Sequence, residues 1–138
     1  MLSDLPLGLF STALLWEVVA CCTAQVLWWR FAFWSIAVGL AMALPTAAAG
    51  LVDYVALGES HPAEKTATNH MLLMLAVVSC FGFSLIWLRP STAPTGTAAV
   101  LTVACGGLGF LGLLVGGWLG GELVFKHGVG STRPSNQR

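Results

Sequence analysis

"TAAVLTVACGGLGFLGLLVGGWLGGELVF" occupies residues 97–125 and meets no charged side chain before Glu122. A helix that crosses a bilayer needs about 20 mostly apolar residues, and this run is long enough. Hydrocarbon offers the backbone no hydrogen-bond partner, so such a run satisfies its own amides and carbonyls as a helix. A closed barrel would need short strands of alternating polarity, and this run is continuous. Its glycines are also ordered. At about 100° per residue, Gly109, Gly112, Gly116 and Gly120 fall on one narrow arc. Small residues in line let two helices approach closely in lipid, so these four read as a packing seam.

Three further runs have the same character: about residues 5–27, 31–57 and 69–88, the third with a polar extension back toward Pro62. The links between them are short. "VLWWRF", residues 26–31, reads as a tight turn whose tryptophans suit a membrane–water boundary, and "RPSTAPTG", residues 89–96, is a breaker-rich loop. Short links make neighbours antiparallel, so the expected fold is an all-α, integral membrane, up-down four-helix bundle. It would fill residues 1–130, with 131–138 as a polar tail. "MLSD" lacks the basic start of a secretory leader, so the first run reads as a retained helix.

Composition agrees. Of 138 residues, 57% are apolar and 9% charged, against about 25% charged in a soluble domain. Six basic and six acidic side chains cancel, and the lack of a basic stripe argues against nucleic acid as a partner. Cys21, Cys22, Cys80 and Cys105 lie in apolar runs without zinc or disulfide spacing and read as buried thiols. The expected location is a bacterial inner, or cytoplasmic, membrane, with lipid as the surrounding partner. Lys65, Lys126, Arg133 and Arg138 share one side and Arg30 and Arg89 the other, so the positive-inside rule places both termini in the cytoplasm.

The second run repeats the small-residue pattern. Gly39, Ala43, Thr46, Gly50 and Asp53 share a face, and Pro45 interrupts that helix's hydrogen bonding. Extending the fourth helix brings His127 onto its glycine arc. Helices two and four run parallel in an up-down bundle, so Asp53 and His127 reach the same rim, where His61 and His70 also lie with Glu59 and Glu64. Polar helix ends at an interface need no chemistry, and Glu122 and Lys126, four apart, form a simple surface pair. The alternative is a haem b or metal-ion site joining His70 and His127 with Asp53, since neutral imidazoles suit iron and other transition metals. His61 and His70, nine apart, could share an ion only if His61 stays outside the helix. Glu17 is separate. It lies roughly 18 Å into the first span at 1.5 Å per residue, where a charge costs about 2.5 kcal/mol or more. It is expected to face the bundle interior, be protonated, or find a partner.

"PLGLFSTALLWEVVA", "AAAGLVDYVAL", "HPAEKTATNHMLLML" and "GGWLGGELVFKHGVG" resemble the membrane family called domain of unknown function 2231, from Pro6 to Gly130. The resemblance implies a four-helix integral membrane protein and matches Glu17, Asp53, His70, Gly120, Gly121 and Glu122. Some relatives are joined to Rieske iron–sulfur or cytochrome-type domains, which implies a redox membrane. Many carry a His-Pro pair just before the first helix, and Met1–Asp4 supplies neither residue.

The expected function is that of a small non-catalytic membrane protein. It would pack as an accessory subunit against a larger respiratory or photosynthetic complex, or self-associate through its glycine seams. No set of catalytic groups stands out. The alternatives are a haem- or metal-binding redox protein using His70 and His127, and a proton or ion carrier using Glu17. The carrier reading lacks the inverted repeat common in transporters.

Overall fold

The computed structural model describes residues 3–57 and 61–129. Glu59, Gly130 and the polar tail with Arg133 and Arg138 lie outside the described residues. Four helices follow in order: α1 (Asp4–Thr23), α2 (Val26–Leu57), α3 (Glu64–Ser84) and α4 (Thr97–Phe125). All four are long and apolar enough to cross a membrane. Among the described residues the only strand-like pairing is a single bridge between Arg89 and Thr92. The protein is an all-α membrane bundle. α1 packs along α2 and α3 along α4, and contacts of α1 with α4 and α2 with α3 close the ring. Phe10 and Phe81 stack across the centre, centroids 4.4 Å apart and rings 6° from parallel.

The inward stripes follow one rule. Buried positions run 6, 10, 13, 17, 20 on α1; 29, 32, 36, 39, 43 on α2; 67, 77, 81, 84 on α3; and 102, 106, 109, 113, 116, 123 on α4. Most steps are three or four, and the wider gaps on α3 and α4 are sums of these, which is the 3.5-residue repeat that keeps one seam facing its neighbours over a long distance. Most of the remaining surface is apolar. Leu44, Val52, Val55, Leu108, Trp118 and Phe125 are among many large exposed hydrophobic side chains, as expected where the outer solvent is hydrocarbon.

The turns differ in detail from the sequence expectation. "VLWWRF" is helical, not a turn: α1 stops at Thr23, and Ala24 takes a left-handed backbone (φ 55°) while its N–H donates to Ala20 O. With the reversal made there, nothing in residues 26–31 breaks a helix, and α2 starts at Val26. Arg30 then lies inside α2 and donates from Nε to Pro90 O at 2.8 Å, tying it to the α3–α4 link. α3 begins at Glu64, five residues before Asn69, and ends at Ser84. After Pro45, α2 leaves the interior. No side chain from Leu44 to Leu57 is buried, and only Thr46, Tyr54 and Leu57 are half-buried.

The glycines of α4 are matched one by one to α3. A Cβ built on Gly109 would stand 2.6 Å from the Phe81 ring, one on Gly112 2.5 Å from Val77, and one on Gly120 3.3 Å from His70, while one on Gly116 would overlap Met74. Residues 109, 112, 116 and 120 thus meet 81, 77, 74 and 70 in antiparallel order. Gly39 serves the α1–α2 pair, where a Cβ would lie 2.7 Å from Phe10. Gly50 does not join this pattern: a Cβ there would meet nothing within 4 Å, while the end of α2 returns to α3 and α4 through Tyr54 and Leu57.

Two outcomes follow for unfolding measured in detergent. Gly109→Ala should destabilise by about 1–3 kcal/mol through overpacking against Phe81, while Gly107→Ala, which faces open space, should stay within about 0.5 kcal/mol of wild type. Ala24→Gly should stabilise by roughly 1 kcal/mol, since only glycine adopts the left-handed backbone without a Cβ penalty.

Candidate functional site

Among the described residues the bundle encloses one carboxyl group. The 4-3-4-3 spacing of α1 puts Glu17 on its inward stripe with Phe10 and Ala13, and the residue is fully buried. Ser84 Oγ donates to Glu17 Oε1 at 3.4 Å and also lies 3.5 Å from the Thr102 carbonyl oxygen. A serine has a single hydroxyl proton, so these two acceptors share it. Glu17 Oε2 has no hydrogen-bond partner, and neither has the hydroxyl of Thr102. Oε2 sits against Gly106, where a Cβ would overlap it. Gly106 is therefore a notch for the carboxyl, one helical turn beyond Thr102 on the same face of α4. No cationic side chain among the described residues pairs with Glu17.

Depth follows from the partners. Ser84 is the last residue of α3, and Glu17 is six residues from the end of α1, roughly 9 Å at 1.5 Å per residue. The carboxyl thus stands on the Arg30 and Arg89 side of the middle of the bundle. Trp16, next in sequence, stacks on Trp28 with centroids 5.4 Å apart, and Phe31 tilts against both rings. Trp28 Nε1 is buried without a partner.

The opposite end carries the histidines, which the structure uses separately. His61 stays outside α3, and its Nδ1 accepts from the Ala63 N–H at 3.1 Å, serving an amide at the start of the helix. Tyr54 OH lies 2.9 Å from Thr68 Oγ1, and Thr68 donates to Glu64 O at 2.9 Å. With the threonine proton so used, Tyr54 is the donor of the pair. Half-buried His70 lies against Gly120, with Nδ1 3.0 Å from Gly116 O. A carbonyl only accepts, so Nδ1 carries the proton and Nε2 is the ring's acceptor. Glu122 and Lys126 form an ion pair at 2.6 Å, exposed enough to contribute little.

His127 does not continue the glycine seam. α4 ends at Phe125, and Gly128 turns the chain with a left-handed backbone (φ 69°), which leaves His127 in the turn. Asp53 is exposed. Among the described residues no three His, Cys, Asp or Glu side chains converge as a metal cluster. Ser84, Thr102 and Gly106 were not legible as companions of Glu17 from sequence. The usable signal was the position of Thr102 and Gly106, four apart and in phase with Gly109.

His70→Ala should lose about 1 kcal/mol of stability through the severed bond to α4, and His127→Ala should change it by less than about 0.5 kcal/mol; both are read from unfolding in detergent.

A family model described as a predicted membrane protein, DUF2231, matches residues 1–133. No curated protein and no solved structure matches the chain.

Proposed function

The chain belongs to the DUF2231 family of predicted membrane proteins, and from that premise we propose that it is a small non-catalytic integral membrane protein that packs as an accessory subunit against another membrane protein. The observation that carries this reading is the outer half of α2. Every residue from Ala47 to Asp53 is exposed, and Gly50 has open space where a side chain would stand. Ala47 and Gly50, three apart on one helix face and both exposed, form a small-residue surface of the kind on which helices associate in lipid. The inward seams are already occupied: Gly39 by Phe10, and Gly109, Gly112, Gly116 and Gly120 by α3. A partner helix would therefore meet α2 beyond Pro45, not the α4 seam.

Most of the rim chemistry is used inside the chain, which also supports a packing role. His61 serves the start of α3, His70 holds α4, and Lys126 pairs with Glu122. The contact surface would thus be apolar and lie within the membrane.

The test is native purification in mild detergent with Ala47→Leu and Gly50→Leu variants beside the wild type. A stoichiometric membrane partner is expected with the wild type. It should be lost from both variants, whose own unfolding midpoints stay unchanged because neither position packs internally. A wild-type chain that runs as a lone bundle overturns the reading. A coloured preparation whose reducible Soret band disappears in His70→Ala would replace it with the redox alternative.

A further inference from the structure

We propose that the oxygens around Glu17 form an internal site for a small monovalent cation of the sodium class. Charge comes first. Glu17 is fully buried, its environment supplies no counter-charge among the described residues, and a bare carboxylate in hydrocarbon is costly. One negative charge calls for one positive charge, which selects a monovalent ion over a divalent one.

The donor set comes second. Glu17 Oε1, Ser84 Oγ and Thr102 O lie together at the junction of α1, α3 and α4. The hydroxyl of Thr102 is buried on the same face of α4 without a partner, and so is Glu17 Oε2. This is an all-oxygen set of carboxylate, hydroxyl and backbone carbonyl, the ligands that hard cations take. No imidazole or thiolate is needed.

Spacing is the third point. The Glu17–Ser84 and Ser84–Thr102 oxygens are separated by 3.4 Å and 3.5 Å, long for hydroxyl hydrogen bonds, which centre near 2.7–2.8 Å. Two oxygens about 2.4 Å from a shared ion, set at right angles, stand about 3.4 Å apart. The cluster thus has the edge lengths of a coordination shell. Gly106 contributes by omission, since any side chain there would displace the carboxyl. A bound ion would also satisfy the two buried oxygens that the protein leaves unpaired. The site is independent of any partner on α2.

The experiment compares unfolding midpoints of the full chain in detergent, at alkaline pH and constant ionic strength, in sodium chloride and in choline chloride. Sodium should raise the midpoint saturably, and potassium, a larger ion, should do so less well. Glu17→Gln should abolish the sodium response. Ser84→Ala and Thr102→Val should each need at least tenfold more sodium for half the effect, and both keep the carboxylate should Glu17→Gln fail to fold. Thr102→Val separates ion binding from simple packing. In choline it should be as stable as wild type or more so, because it removes an unpaired buried hydroxyl, yet it should respond poorly to sodium. Equal midpoints in sodium and choline for the wild type overturn the proposal and leave a proton as the group that neutralises Glu17. A sodium response that survives undiminished in Glu17→Gln, or in both Ser84→Ala and Thr102→Val, overturns it as well.

Discussion

Hydrocarbon supplies no hydrogen bonds, and the rest of this structure depends on that constraint. It makes the four apolar runs helices, because only a helix satisfies its own backbone. It removes the ordinary hydrophobic drive for those helices to associate, since lipid is as apolar as leucine, and leaves close packing to hold them. The steps of three and four along each inward stripe meet that demand. Phe81 lies over Gly109, Val77 over Gly112 and Met74 over Gly116, so each large side chain of α3 finds a gap in α4. The Phe10–Phe81 stack links α1 to α3 across the centre, joining the two hairpins. Each contact gains dispersion energy in small amounts, and only many of them in register give a defined bundle.

The glycines therefore divide by location, not by kind. Gly39, Gly109, Gly112, Gly116 and Gly120 are consumed within the chain, while Gly50 faces outward although it follows the same helical face as Gly39 and Ala43. The difference arises at Pro45, where α2 loses a backbone donor and after which no side chain is buried. With 32 residues, about 48 Å at 1.5 Å per residue, α2 exceeds the roughly 30 Å of bilayer hydrocarbon. Its second half thus runs on past the buried stripe, exposing residues 47–53, before Tyr54 and Leu57 pack against the Ala63, Ala67 and Leu123 cluster.

The four helices were legible because length and apolarity act locally. The inward position of Glu17 was legible because an acid in lipid has no other favourable place. Its partners were not. Ser84 and Thr102 sit in apolar runs where serine and threonine usually donate back to their own helix, as Thr12, Thr46 and Ser79 do here. Which hydroxyls turn inward depends on register between helices, which no single run encodes. The rim is read differently. His61, His70, His127 and Asp53 do lie toward one end, but sharing an end is a weaker condition than sharing a point. Gly128 stops α4 before His127 can join the seam, and Asp53 lies on the exposed side of α2.

Stability by itself gives little reason to keep Glu17. A buried ionisable group with one oxygen unpaired is generally replaced by an apolar side chain of similar volume at no loss, often at a gain. The surroundings nonetheless accommodate it specifically: Gly106 is empty where a methyl group would collide with the carboxyl, and the Ser84 hydroxyl points at it. Three helices have thus given up packing at a single point to make room for oxygen atoms, in a medium where oxygen atoms are costly. The same chain spends its other polar side chains on ordinary work, closing helix ends and holding α3 to α4. That contrast marks the carboxyl, and not the histidine-bearing rim, as the place where this bundle departs from what folding alone requires.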